Sequence, residues 1–194
     1  IDDNAFALEN LVTDVLEVTQ HYSNRYGKPI PVIAAGGIYT GRDIRKFLEL
    51  GADAVQMGTR FVATDECDAD DAFKQAYIDA GQDDIVIIES PVGMPGRAIR
   101  NKFLNDVNGG LKKPYSCPYH CILSCDFKAT PYCIANALMN AKRGRLHHGF
   151  AFAGSNVFLV KEIVSVKKLM ATLVSEYEDA LKDEALSCAS PPME

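Results

Sequence analysis

Two groups of residues in this chain have the types and spacing to do chemistry. The first is a pair of small-residue turns, Gly36-Gly37 and Gly58-Thr59, each closing a short apolar run. Glycine lets backbone amides approach an anion closely, and a threonine hydroxyl adds a donor. On adjacent parallel strands two such turns would converge on one phosphate; the plainer alternative is that the glycines only make tight strand-to-helix turns. The second group is Cys117, Cys121 and Cys125, spaced four apart, with Cys133 eight further on. On a helix entered through Ser116 and Pro118, successive cysteines would drift by only about 40°, so three thiols would share a face. Four thiolates suit zinc or an iron–sulfur cluster, with His120 as an alternate ligand. Buried unreactive thiols and redox disulfides are the competing readings.

The turns need elements to hold them. Apolar residues at helical spacing (Leu8, Leu11, Val12, Val15, Leu16) predict a helix over residues 4–22, capped by Asp2 or Asp3. Gly27 and Pro29 break it. Residues 30–35 and 52–57 read as buried parallel strands, apolar throughout and so covered on both faces. Between them Thr40 and Asp43 form a capping-box pattern, with Ile44, Phe47 and Leu48 as the inner stripe. This is one right-handed βαβ unit. Residues 69–80 predict a further helix and 85–88 a strand. Beyond Pro91 a loop over 91–96, a short helix over 97–104, a joint at Asn108-Gly109-Gly110 and a helix over 134–143 are expected. A final helix over 166–182 is expected to be capped by Ser165, with Leu169, Met170, Leu173, Val174 and Tyr177 facing inward and residues 187–194 disordered.

Bulk properties narrow the function. A formal charge of −6 and the lack of a basic run exclude an electrostatic nucleic-acid surface. No apolar stretch approaches the roughly 20 residues of a membrane span, and the N-terminus has no signal-peptide pattern, so a cytoplasmic location is expected. Other tempting residues have bland explanations: His147 and His148 as a surface pair, Arg97 and Arg100 as a solvated face or anion contacts, and residues 65–71 as charges at a helix start. Ser155 and Asn156 follow a glycine and could line a ligand pocket; Cys67 and Cys188 have no evident role.

The runs Pro31-Val32-Ile33-Ala34-Ala35-Gly36-Gly37-Ile38 and residues 50–61, ending Met57-Gly58-Thr59-Arg60-Phe61, closely resemble nitronate monooxygenases and the related flavin-dependent enoyl-ACP reductases. Residues 90–97 and Phe152-Ala153-Gly154-Ser155-Asn156 share that resemblance, which runs from about residue 1 to 180. The glycine-strand-glycine block also occurs in inosine-monophosphate dehydrogenases and other phosphate-binding barrels; the later segments favour the first group. The resemblance implies an α/β fold, the C-terminal part of a (β/α)8 TIM-type barrel with a mainly helical C-terminal appendage. It divides the chain into barrel units over 1–90, a loop-rich and helical appendage with the cysteine cluster over 91–186, and a tail over 187–194. It implies an FMN oxidoreductase that oxidises nitronates with oxygen or reduces an enoyl thioester with NAD(P)H. Gly36, Gly37, Gly58 and Thr59 would hold the FMN phosphate. The family's catalytic histidine would precede Ile1, so no catalytic residue is assigned and the chain alone is expected to be inactive. A small-molecule substrate and, as an option, a homodimer partner complete the expectation, with no nucleic acid and no membrane. The rival readings are another phosphate-binding barrel enzyme, such as a nucleotide dehydrogenase, and a cysteine-cluster metal-binding interaction module.

Overall fold

The computed structural model describes residues 7–111, 117, 119–123 and 125–188. The chain forms two compact units: one runs to Met57 and resumes at Ser165, and the other is Gly58–Val164.

In the first unit α1 (Leu8–Tyr26) leads to β1 (Ile33–Ala35), α2 (Gly41–Glu49) and β2 (Ala54–Gln56), and α7 (Val166–Cys188) completes it. The predicted βαβ unit is present: β1 and β2 pair in parallel, Ile33 with Ala54 through Ala35 with Gln56. The strands are shorter than expected because their entries are fixed by a side chain. The Asp53 carboxylate accepts from the Val32 amide at 2.8 Å, and the Asp53 amide donates to the Val32 carbonyl at 2.8 Å. Helix α1 begins later than predicted, after Ala7 and with no side-chain cap; Asp2 and Asp3 lie outside the described residues. It stops where Gly27 takes φ 63°, a left-handed C-cap that suits glycine.

The expected box at the start of α2 forms. Thr40 Oγ1 accepts from the Asp43 amide, and the Asp43 carboxylate accepts from the Thr40 amide at 2.8 Å. Val12, Ala34, Ile38, Phe47 and Ala52 form the core, with Leu8, Leu16, Ile44 and Val55 packed against it. The strand pair is not covered on both faces: Ala34 is 1% exposed but its neighbour Ile33 is 59% exposed. Alternation along a strand turns successive side chains to opposite faces, and α1 and α2 pack against one of them. Helix α7 lies on α2 so closely that a Cβ at Gly41 would sit 2.3 Å from the Leu173 carbonyl oxygen. Ser165 caps α7 as predicted, accepting from the Lys168 amide at 3.2 Å. The inner stripe of α7 is narrower than expected: Leu169, Leu173 and Ala180 are buried while Met170 and Val174 are exposed.

The second unit holds α3 (Thr59–Val62), α4 (Asp71–Asp79), β3 (Ile85–Glu89), β4 (Pro95–Ile99), α5 (Lys102–Asn108) and α6 (Ile134–Lys142). The strand expected at 85–88 forms as β3, one residue longer. It pairs antiparallel with β4, Ile85 with Ile99 through Glu89 with Pro95. The loop and helix expected over 91–104 therefore become a turn, a strand and a helix start. The hairpin wins because Gly96 packs against the Phe152 ring, which a Cβ at 2.4 Å would displace, and Ala98 bridges to Phe152. Asn101 then caps α5, accepting from the Leu104 amide at 3.0 Å. Phe103, Leu104, Tyr132 and Phe150 form an aromatic-rich core with Ala98 and Ala137.

Candidate functional site

Both predicted turns follow strands of the first unit's parallel pair. Gly36 follows Ala35, and Met57 follows its partner Gln56, so the chain leaves both strands at their carboxyl ends. In parallel α/β proteins that end is where ligands bind.

At the first turn Gly36 and Gly37 adopt φ 111° and φ 70°, conformations that L side chains rarely take. A Cβ at Gly36 would meet nothing within 4 Å, so backbone geometry rather than crowding calls for glycine. The following helix start is not a free anion site. The Gly41 amide donates to the Glu176 carboxylate at 2.7 Å, and the Tyr39, Thr40 and Asp43 amides are all engaged by the capping box.

The second turn opens the second unit. Gly58 sits at φ −118°, ψ −55°, which any residue adopts, and a Cβ there would meet nothing within 4 Å. Neither strain nor contact among the described residues accounts for this glycine; it leaves open space beside the start of α3. Among the described residues the Gly58 and Thr59 amides donate to no partner. Thr59 Oγ1 accepts from the Gly154 amide at 2.8 Å, which leaves its hydroxyl proton to be donated elsewhere. Gly154 is itself constrained, since a Cβ there would lie 3.0 Å from Thr59 Oγ1. The segment carrying Gly154 is anchored in turn: the buried Tyr77 hydroxyl donates to the Phe152 carbonyl at 2.5 Å, and the Ala153 amide donates to the Arg97 carbonyl. Burial and the nearby Cys67 sulfur hold the Tyr77 hydroxyl well above its ordinary pKa, so it remains a donor. Sequence reasoning named Gly154 only through resemblance. Its role in orienting Thr59 had no local signal, because the two are 95 positions apart.

The remaining candidates sort themselves. His147 and His148 are exposed on a 3-10 turn. Arg100 is exposed on a cavity of about 380 Å3 that Asp79 and Asp84 also line, two carboxylates that disfavour an anionic ligand. Arg97 lies half-buried on β4, and Ser155 and Asn156 are half-buried just beyond Gly154. The acidic run is more than solvated charge: Asp70 caps α4, and Asp68 pairs with Lys142 at 2.6 Å, which lowers its pKa.

The cysteine segment is not the helix that the spacing suggested. The described residues from Cys117 to Cys133 are turns and irregular chain, with His120 at φ 41°. The facing of three thiols by helical drift therefore fails, and among the described residues no three His, Cys, Asp or Glu side chains are grouped to hold a metal ion. All four cysteines nevertheless line one cavity of about 220 Å3, and all are free thiols. No helix among the described residues is long and apolar enough to cross a membrane.

Comparison with known proteins adds an independent view. Residues 1–176 match the family model described as nitronate monooxygenase. The nitronate monooxygenase of Pseudomonas aeruginosa is 34% identical over 149 residues, covering 76% of this chain and 39% of that protein. The (3aS,4S,5R,7aS)-5-hydroxy-7a-methyl-1-oxo-octahydro-1H-indene-4-carboxyl-CoA dehydrogenase of Mycobacterium tuberculosis is 42% identical over 86 residues, 44% of this chain and 24% of that protein. Among solved structures, FabK from Thermotoga maritima aligns with a TM-score of 0.69 and 28% identity, covering 92% of this chain and 51% of that one. The chain thus spans well under half the length of these curated relatives and about half of the solved structure.

Proposed function

The chain belongs to the nitronate monooxygenase family, and from that premise we propose that it supplies the phosphate-holding part of an FMN-dependent oxidoreductase, built on the C-terminal portion of a (β/α)8 barrel. The observation that carries the reading is the second turn. Gly58 is a glycine that no strain or contact among the described residues requires, its amide and that of Thr59 have no partner among them, and the Thr59 hydroxyl is turned into a donor by Gly154. Open space lined by amides and a hydroxyl fits a phosphate group. By family resemblance, Gly36 and Gly37 are proposed as phosphate-binding residues too. When bound, FMN would supply the electron-accepting chemistry; this chain's share is to anchor the cofactor by its phosphate. No residue is assigned a catalytic role.

A small carbon acid of the nitronate type, oxidised with oxygen, is the substrate class favoured by the Pseudomonas relative. A thioester is the second reading, favoured by the carboxyl-CoA dehydrogenase from Mycobacterium; NAD(P)H belongs to that second reading. The test is to purify the full-length protein, identify any released flavin, and titrate FMN into apoprotein with and without Gly58→Val. Stoichiometric FMN, with binding weakened at least tenfold by the substitution, is the expected result. Protein that neither carries nor takes up FMN overturns the proposal. Stopped-flow reduction by a nitronate and by NADPH then separates the two substrate classes.

A further inference from the structure

The cysteine cavity lies outside the flavin reading and asks for its own occupant. Cys117, Cys121, Cys125 and Cys133 come from a stretch of irregular chain and from the start of α6, yet all four reach one void of about 220 Å3. That is several times the roughly 30 Å3 that a water molecule occupies in the liquid. A zinc ion would need every sulfur about 2.3 Å from one point, and no three ligating side chains among the described residues meet that demand. The four cysteines line one volume larger than a single ion would need. From this the geometry points to an iron–sulfur cluster held by Cys117, Cys121, Cys125 and Cys133.

Three further observations agree with that occupant. The His120 amide donates to Cys117 Sγ at 3.4 Å, and His120 adopts φ 41°, the single positive φ of a non-glycine residue among the described residues. The backbone is thus bent into an unfavourable region where it turns an N–H toward sulfur, the kind of contact that stabilises a cluster ligand. Secondly, Cys133 is the N-cap residue of the nine-residue α6, and Ile134 and Ala135 of its first turn also line the cavity. The positive end of that helix therefore faces the void, which favours an anionic cluster. Thirdly, much of the rest of the wall is apolar, including Val92, Ile122 and Phe127. His120 packs its ring edge-on against Phe127, with centroids 4.8 Å apart.

The experiment is elemental and independent of flavin. Full-length, untagged protein is purified without oxygen, and iron, acid-labile sulfide and zinc are measured alongside the paramagnetic resonance spectrum after dithionite reduction. Iron and sulfide in equal amounts, at least two of each per chain, with a reduced-cluster signal, are expected. Cys121→Ser, at an exposed position, should lose at least half of both while far-ultraviolet circular dichroism is unchanged, and Cys67→Ala, outside the cavity, should keep them. Protein lacking iron and sulfide both as purified and after anaerobic reconstitution overturns the inference. So does stoichiometric zinc, or full iron content in Cys121→Ser. Absence of FMN in the same preparation would count against the flavin reading alone.

Discussion

At the residue scale, the three turn glycines are glycine for different reasons, and substitution should separate them. Gly36 and Gly37 sit at positive φ, so Gly36→Ala should cost about 1 kcal/mol or more of stability from backbone strain alone. Gly58 is unstrained and uncrowded. Gly58→Val should therefore leave the thermal midpoint within the range of ordinary surface changes, about 0.5 kcal/mol, while removing phosphate binding. Chemical denaturation in parallel with FMN titration measures both. Tyr132 gives a pH signature at the same scale. It is 4% exposed in the aromatic core, and burial raises its hydroxyl from 10.0 to about 12. A raised folded pKa means the stabilisation is fully present below pH 10.0 and is lost as pH climbs toward 12. The Tyr132 share of stability should be flat up to about pH 10 and then fall by on the order of 2 kcal/mol, on top of a decline from the buried Tyr77. Tyr132→Phe should shrink that fall, and urea melts across the range would show it. A native-like decline in the variant would remove Tyr132 as the cause.

At the element scale the capping box and the α2–α7 contact make opposite demands. Thr40→Ala removes one acceptor at the start of α2 and should cost about 1 kcal/mol. Gly41→Ala is a smaller chemical change with a larger expected effect, because a Cβ there would strike the α7 backbone at 2.3 Å. A loss exceeding that of Thr40→Ala, with α7 shifted or frayed in hydrogen exchange, is the predicted outcome; equal losses would mean the two helices yield easily. The box was legible because its four residues are local, and so were β1, β2 and α4, whose apolar runs and caps are contiguous. The β3–β4 hairpin was not. Arg97 and Ala98 carry no strand signal of their own, and their pairing depends on Phe152, more than fifty positions away. The cysteine segment misled for the related reason that spacing of four is a helical signature only where a helix forms. Thr59 and Gly58 were legible as residues, whereas the hydrogen bond that orients Thr59 was not.

At the scale of the whole molecule, the two proposed sites differ in chemistry, a glycine-turn anchor and a thiol-lined cavity, and they should be separable. Cys121→Ser should leave FMN affinity within twofold of the parent, and Gly58→Val should leave iron content unchanged. Loss of both properties in either variant would mean that the two depend on each other. The family membership gives the first of these sites a context, and the cysteine cavity stands on its own geometry.

The first unit is discontinuous: it starts before residue 57 and is completed only by α7, from residue 165 onward. During synthesis the ribosome makes all of Gly58–Val164 before the helix that Gly41 and Glu176 join to α2 exists. The later-made unit can therefore finish folding first, while β1, α2 and β2 wait with an uncovered helix face. A nascent chain stalled before residue 165 should present that face to chaperones, and emergence of α7 should end the exposure.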